Sequence, residues 1–365
     1  MKADNRLSHN SGTDKKKYKI ITSVLIVLAI VSFGLTVGSM VYFRTQVKRD
    51  IDLADEQYKN YERHYVLVAR DNNDSFWTSA YENMRLEGEK SSIYVEKMGN
   101  NLAVDYSNMQ LMEIAIDSQV DGIIFEADDS TESITLINRA IKEGIPVVTV
   151  RNDAALSARR SFVGVSYYNL GTEYGKLILK ASRNIVKQKK DADEGSVVNV
   201  LVLVDANVAD TSQNVTVNAI KERLEKSKNE EIVYEVSTVE IDNSGEFTEE
   251  ESIRDMLKNS ELPDVIVCLN EVNTVSVYQT LVERNKVGEA VVLGYYNSEP
   301  ILKAIDKKVV YATITIDSAQ LGKDCVDALT EYTDYGRVSE YYGVNYVVID
   351  ADNIDDYIGK EVNNE

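Results

Sequence analysis

From residue 65 to residue 349 the chain alternates short runs of branched apolar residues with longer stretches of helical periodicity, and few folds satisfy that rhythm. A strand covered by helices on both faces must be almost wholly apolar, and segments 65–69, 122–125, 147–150, 198–204 and 265–269 are of that kind, interrupted only by Thr149 and Asn199. Shorter or more polar strands are expected at 93–95, 162–165, 232–239 and 290–294. Helices are expected through Tyr81, Met84 and Leu86, then over 108–118, 132–142, 170–187, 213–226, 249–258 and 272–284. Residues 188–194 read as a charged loop without apolar anchors. A strand at 309–316, a helix over 318–332 and a last strand at 346–349 close the chain. Strands and helices alternating at this spacing give parallel, doubly wound sheets. Two such series stand in tandem, so the fold class expected is α/β with two similar lobes.

The stretch Gly144-Ile145-Pro146-Val147-Val148-Thr149-Val150-Arg151-Asn152-Asp153 shows how one unit is built. Gly144 can end a helix in the left-handed conformation, which a residue without Cβ adopts cheaply. Pro146 can open a strand because it needs no ladder donor there. The polar triplet Arg151-Asn152-Asp153 then lies at the strand's carboxyl end, where open α/β sheets gather ligands.

The amino-terminal region is of another kind. Residues 20–43 carry no charge, and at ~1.5 Å per residue they make roughly 36 Å of helix, enough to cross a ~30 Å hydrocarbon core. A secretory signal has a shorter apolar region, so a retained anchor is expected over cleavage near Gly38-Ser39-Met40. No cysteine follows the run, which excludes a lipoprotein anchor. The cluster Lys15-Lys16-Lys17-Tyr18-Lys19 places the amino terminus in the cytoplasm and the body outside, a single-pass cell-membrane protein. The expected division is a basic tail 1–19, a transmembrane anchor 20–43 and a stalk 44–63 before the globular body.

Charge and composition narrow the function. The formal net charge of −20 is concentrated after residue 43, because the tail holds six basic residues against two acidic ones. Such a body repels phosphate backbones, so no nucleic-acid partner is expected. Cys268 and Cys325 sit in apolar patterns and read as small core residues. Enzyme signatures are missing: His9 is in the tail, His64 is at the edge of the first strand, and there is no Gly-x-Ser-x-Gly elbow or metal-ligand spacing. The run from Gly171 through Gly175-Lys176-Leu177 is one residue short of a phosphate loop and lacks its Ser/Thr. No enzyme, no cofactor and no metal are expected. An acid pair such as Asp74 and Glu126 doing glycosidase work is the one enzymatic alternative.

Several phrases, taken in order, carry a resemblance. They are Asp74-Ser75-Phe76-Trp77, the Gly144 to Val150 run, Val163-Gly164-Val165-Ser166-Tyr167-Tyr168-Asn169-Leu170-Gly171, Asp210-Thr211-Ser212, and Val267-Cys268-Leu269-Asn270-Glu271. Val292-Leu293-Gly294-Tyr295-Tyr296 and Ala312-Thr313-Ile314-Thr315-Ile316-Asp317-Ser318 complete the set. The chain resembles the type I periplasmic sugar-binding proteins of ABC transporters over residues 64–350, in a membrane-anchored form. The resemblance implies two lobes joined by three crossovers, near 165–167, 316–317 and 343–344. It makes the first lobe 64–165 plus 317–343 and the second 166–316 plus 344–365. Lac-type repressors share this fold but begin with a DNA-reading motif, where this chain has its apolar span.

The same resemblance implies a cleft lined by Asp74, Phe76, Trp77, Glu126, Arg151, Asn152, Asn214, Asn270, Glu271, Tyr296 and Asp317. Aromatic faces meet sugar C–H surfaces while charged and amide groups meet hydroxyls. Departures from the family pattern are evident. Arg151-Asn152 stands for an Asp-Arg pair, Glu271 for an Asp, Val217 for an arginine, and Tyr296 for an acid. Loss of hydroxyl partners weakens discrimination, so a ligand other than plain ribose or galactose is expected, with a larger or cationic solute as an alternative. The partners implied are a small sugar-like molecule and an ABC permease, or else a membrane histidine kinase that reads the closed form. Any acid among these residues can instead cap a helix or shape a turn.

Overall fold

The computed structural model describes residues 61–358 apart from 70–74, 100–105, 192–196, 207–210, 228–231, 243–245 and 260. The expected tail, membrane span and most of the stalk, together with Asp74, lie outside the described residues. Among the described residues no helix is long and apolar enough to cross a membrane.

Two six-stranded sheets form, each with the same strand order. The first contains β1 (Arg63–Val68), β2 (Ile93–Lys97), β3 (Gly122–Phe125), β4 (Val147–Val150), β5 (Ser161–Gly164) and β11 (Tyr341–Gly343), in the order β2-β1-β3-β4-β5-β11, all parallel. The second contains β6 (Val197–Asp205), β7 (Val233–Ile241), β8 (Val265–Cys268), β9 (Val291–Tyr295), β10 (Ala312–Ile316) and β12 (Tyr346–Asp350), in the order β7-β6-β8-β9-β10-β12. Here β12 runs antiparallel to β10 at the edge. The first lobe carries α1 (Ser75–Lys90), α2 (Asn108–Asp117) and α3 (Thr131–Lys142). The second carries α4 (Tyr167–Asp191), α5 (Thr211–Glu225), α6 (Glu246–Asn259), α7 (Glu271–Glu283) and α8 (Glu299–Asp306). The helix α9 (Ser318–Tyr335) follows β10 yet packs on α1, so it belongs to the first lobe.

The chain therefore passes between lobes after β5, after β10 and after β11. These passages are bonded to one another. Val344 N–H donates to Gly164 O at 2.9 Å and Asp317 N–H to Asn345 O at 3.0 Å. The Gln320 side-chain oxygen accepts from the backbone and side-chain N–H groups of Asn345 at 3.0 and 2.8 Å.

Local chemistry explains the elements. The strands β3, β4 and β8 are buried at every position. Ser107 and Gln110 form a reciprocal capping box at α2, and Ser130 caps α3. Gly144 ends α3 at φ +92°, with Ile145 N–H bonded to Ala140 O and Gly144 N–H to Ile141 O, the paired closure of a Schellman motif. Asn285 makes the same closure in the second lobe, between α7 and β9, at φ +56°.

Three sequence expectations need correcting. Residues 188–191 are helical, not loop, because Gln, Lys and Asp can extend a helix already nucleated upstream without needing apolar anchors. The strand expected over 309–316 starts at Ala312; Val309 and Val310 instead donate to Ala304 O and close α8. The helix α8 itself went unread, being only 8 residues long, too short for its period to show.

The lobes carry separate apolar cores on their outer faces, and a third buried cluster is continuous between them. That cluster holds Leu67, Phe76, Trp77 and Val150 of the first lobe with Leu293, Tyr295, Tyr296 and Ile316 of the second. The glycines of the Gly171 to Gly175 run are packing residues on α4. A Cβ on Gly171 would lie 2.3 Å from Thr216 O and 2.7 Å from Ala219 Cβ on α5. Gly171→Ala must part the two helices and is expected to destabilise the chain by about 1–3 kcal/mol, read as a lower urea midpoint at unchanged slope.

Candidate ligand cleft

The cleft is built where the strands' carboxyl ends face each other, and two backbone positions set its shape. Arg151 follows β4 and Tyr296 follows β9, strands that occupy the same place in the two sheets. Both residues are left-handed, with φ +63° and +76°. Both donate their N–H to the neighbouring strand, Arg151 to Val163 O at 3.0 Å and Tyr296 to Ile314 O at 2.8 Å. For bulky residues this conformation costs about 1–2 kcal/mol each, and such strain concentrates at functional sites.

The result is convergence on one ring. Phe76, the second residue of α1, has the Arg151 guanidinium over its face at 5.3 Å. The Tyr296 ring meets it edge-on at 5.9 Å and 80°, and Trp77 meets it at 5.1 Å and 73°. Arg151 Nη1 also stands 3.7 Å from Glu126 Oε1, in the loop after β3. Phe76, Trp77 and Glu126 expose 3% or less of their surface, whereas the Arg151 side chain keeps 21%. A second bridge between lobes is polar, Ser75 Oγ donating to Glu271 Oε2 at 2.6 Å.

The structure thus brings together Phe76, Trp77, Glu126, Arg151 and Tyr296, and sets Glu271 beside them through Ser75. Asn152 is buried next to Arg151, its Oδ1 2.8 Å from the Tyr167 hydroxyl. Asn270 caps α7 by accepting from Asn273 N–H at 2.7 Å. Asp317 is exposed and caps α9 through Gln320 N–H at 2.9 Å. Asn214 is exposed on the first turn of α5. Val217 is buried in the shared cluster and brings no polar group. Ser75 and Tyr167 escaped the sequence reading, although Ser75 adjoins Phe76 and Tyr167 adjoins the first passage between lobes.

The chemistry available is recognition. His64 is early in β1, far from the carboxyl ends, and its Nε2 pairs with Glu96 Oε2 at 2.9 Å. Both cysteines are free and buried, and burial pushes both thiols up, away from reactive thiolate. Among the described residues no His, Cys, Asp or Glu group could hold a metal ion. The Tyr174 hydroxyl donates to Cys268 O at 3.2 Å and Gly294 O at 3.0 Å, holding the ends of β8 and β9. Burial raises its pKa well above the ordinary value, so it stays a neutral donor.

Comparison with known proteins agrees with this architecture. The profile of the periplasmic binding protein domain matches residues 65–337, and the chain belongs to that family, whose members bind solutes and are not enzymes. No curated protein matches the chain. Among similar solved structures is GanP, a glucose-galactose binding protein from Geobacillus stearothermophilus, 18% identical, covering 79% of this chain and 97% of its own at a TM-score of 0.65. An ABC transporter solute binding protein from Agrobacterium vitis with bound D-fucose is 18% identical, covering 80% and 97% at 0.66. The XylFII–LytSN complex is 20% identical, covering 80% and 98% at 0.63.

Removing one member of the Glu126–Arg151 pair leaves the other with less compensation. Arg151→Met is expected to cost about 2 kcal/mol, below the range for fully buried pairs because Arg151 is partly solvated. Adding Glu126→Gln should recover most of that loss; a double-mutant cycle of denaturant midpoints measures the coupling.

Proposed function

We propose that the chain is a receptor for a small sugar-like solute, held at the outer face of the cell membrane by residues 20–43, which closes on its ligand and delivers it to an ABC permease. The lobes would be 64–165 plus 317–343 and 166–316 plus 344–365. The observation that carries the reading is Phe76, an aromatic face met by Arg151 from one lobe and Tyr296 from the other, with Glu126 and Glu271 beside it. A saccharide ring is apolar on its faces and polar on its rim, and these groups complement both once the ligand has displaced Arg151 from the Phe76 face. GanP and the D-fucose complex, which share the fold, support a sugar over other solutes. Closure is a population shift: the shut form is already populated without ligand, and tighter binding to it raises that population.

A second reading keeps the cleft and changes the partner: the closed form is presented to a membrane histidine kinase. It is favoured by XylFII, of the same fold, having been solved in complex with LytSN. A cationic solute is the alternative ligand, since the Phe76 face already receives a guanidinium in cation–π geometry; such a ligand would have to displace Arg151.

A thermal-shift screen of the full chain tests the ligand class. D-galactose, D-arabinose or D-fucose at about 100 times its dissociation constant should add about 2.7 kcal/mol of stability, a rise of several degrees in melting temperature. If the sugars leave melting unchanged while choline or arginine raises it, the sugar assignment fails and the receptor assignment remains.

A further inference from the structure

Tyr167 is the first residue of α4, and only Val165 and Ser166 separate it from the end of β5. Its ring reaches back toward the first lobe. The hydroxyl lies 2.5 Å from Arg151 O and 2.8 Å from Asn152 Oδ1, so its one proton is shared between two acceptors on the cleft floor. Each end of this contact is fixed to a different lobe. Tyr167 O accepts from Thr216 Oγ1 at 3.5 Å, and α4 is fitted against α5 at Gly171 and Gly175, where a Cβ would lie within 2.7 Å of α5 atoms. Arg151 is fixed to the first sheet by its N–H bond to Val163 O.

At this passage the first sheet and α4 are joined covalently by Val165 and Ser166, which follow the last residue of β5, Gly164. Rotation about the torsions of those residues is what would part the lobes at this passage, and it would carry the hydroxyl off the Arg151 carbonyl. The same carbonyl belongs to a residue at φ +63°, a conformation that needs outside support.

We propose that Tyr167 is a positioning residue that couples the first passage between lobes to the cleft floor: its hydroxyl holds the left-handed Arg151 and the Asn152 side chain in place when the lobes are shut and releases them when the lobes part. This rests on the reading of the lobes as a clamp, and not on which solute they take. Closing the clamp and presenting Arg151 over Phe76 are then one event. Loss of a single hydrogen bond of ordinary net strength lowers the closed-to-open ratio about fivefold.

The test needs no ligand. Spin labels are placed on Glu132→Cys and Glu299→Cys, exposed positions on α3 and α8; Cys268 and Cys325 are buried and stay unlabelled. Electron double resonance on the full chain should show Tyr167→Phe moving population from the short interlobe distance to a longer one, by about fivefold in ratio. Amide exchange across 151–153 should quicken while melting temperature holds. Unchanged distances with unchanged exchange overturn the proposal. So does a lower melting temperature with unchanged distances, which reduces Tyr167 to packing. Because no sugar is present, failure of the sugar screen leaves this result standing, and the reverse holds too.

Discussion

The Phe76 ring is gripped from both lobes at once, by a guanidinium on its face and a tyrosine edge on its rim, and the rest of the cleft is arranged to make that possible. Arg151 and Tyr296 reach it because each leaves the end of an equivalent strand in the left-handed conformation. Neither turn is cheap for a residue with a large side chain. Both are held by an N–H bond to the neighbouring strand, and Tyr174 ties down the ends of β8 and β9 from beneath. Strain is thus tolerated at two matched points because the central strands β4 and β8 are buried at every position and hold the turns in place.

Burial also explains why the lobes meet as they do. The cluster around Phe76, Trp77, Tyr295, Tyr296 and Ile316 is continuous from one lobe to the other, so part of the apolar surface that orders each half is shared. The charged groups nearby are few and placed. Glu126 sits against Arg151, and Glu271 receives Ser75. Aromatic walls and a buried carboxylate suit recognition of a molecule without altering it, as membership of the periplasmic binding protein family entails.

Much of the fold was legible because burial on both faces forces a nearly unbroken apolar run. The strand β4, introduced by Gly144 and Pro146, shows this plainly, and β3 and β8 follow the same rule. Glycine advertises a left-handed backbone; arginine and tyrosine do not, so the turns at Arg151 and Tyr296 left no trace in the sequence. Residues with two uses were equally opaque. Asp317 and Asn270 can cap a helix or meet a hydroxyl, and here both cap. Tyr167 reads only as part of the first crossover, with the helix expected from residue 170, because its meaning depends on Arg151 lying within reach of its hydroxyl, a contact between residues that pattern reading never pairs.

Trp77 is the single tryptophan of the chain and packs against Phe76, so its emission reports on the cleft directly. A two-lobed receptor predicts that titrating the full chain with a sugar shown to bind by equilibrium dialysis changes Trp77 fluorescence saturably, with the same midpoint as binding. A bound sugar that leaves the emission of Trp77 unaltered through saturation would contradict the account, because the solute would then be held somewhere other than between the lobes.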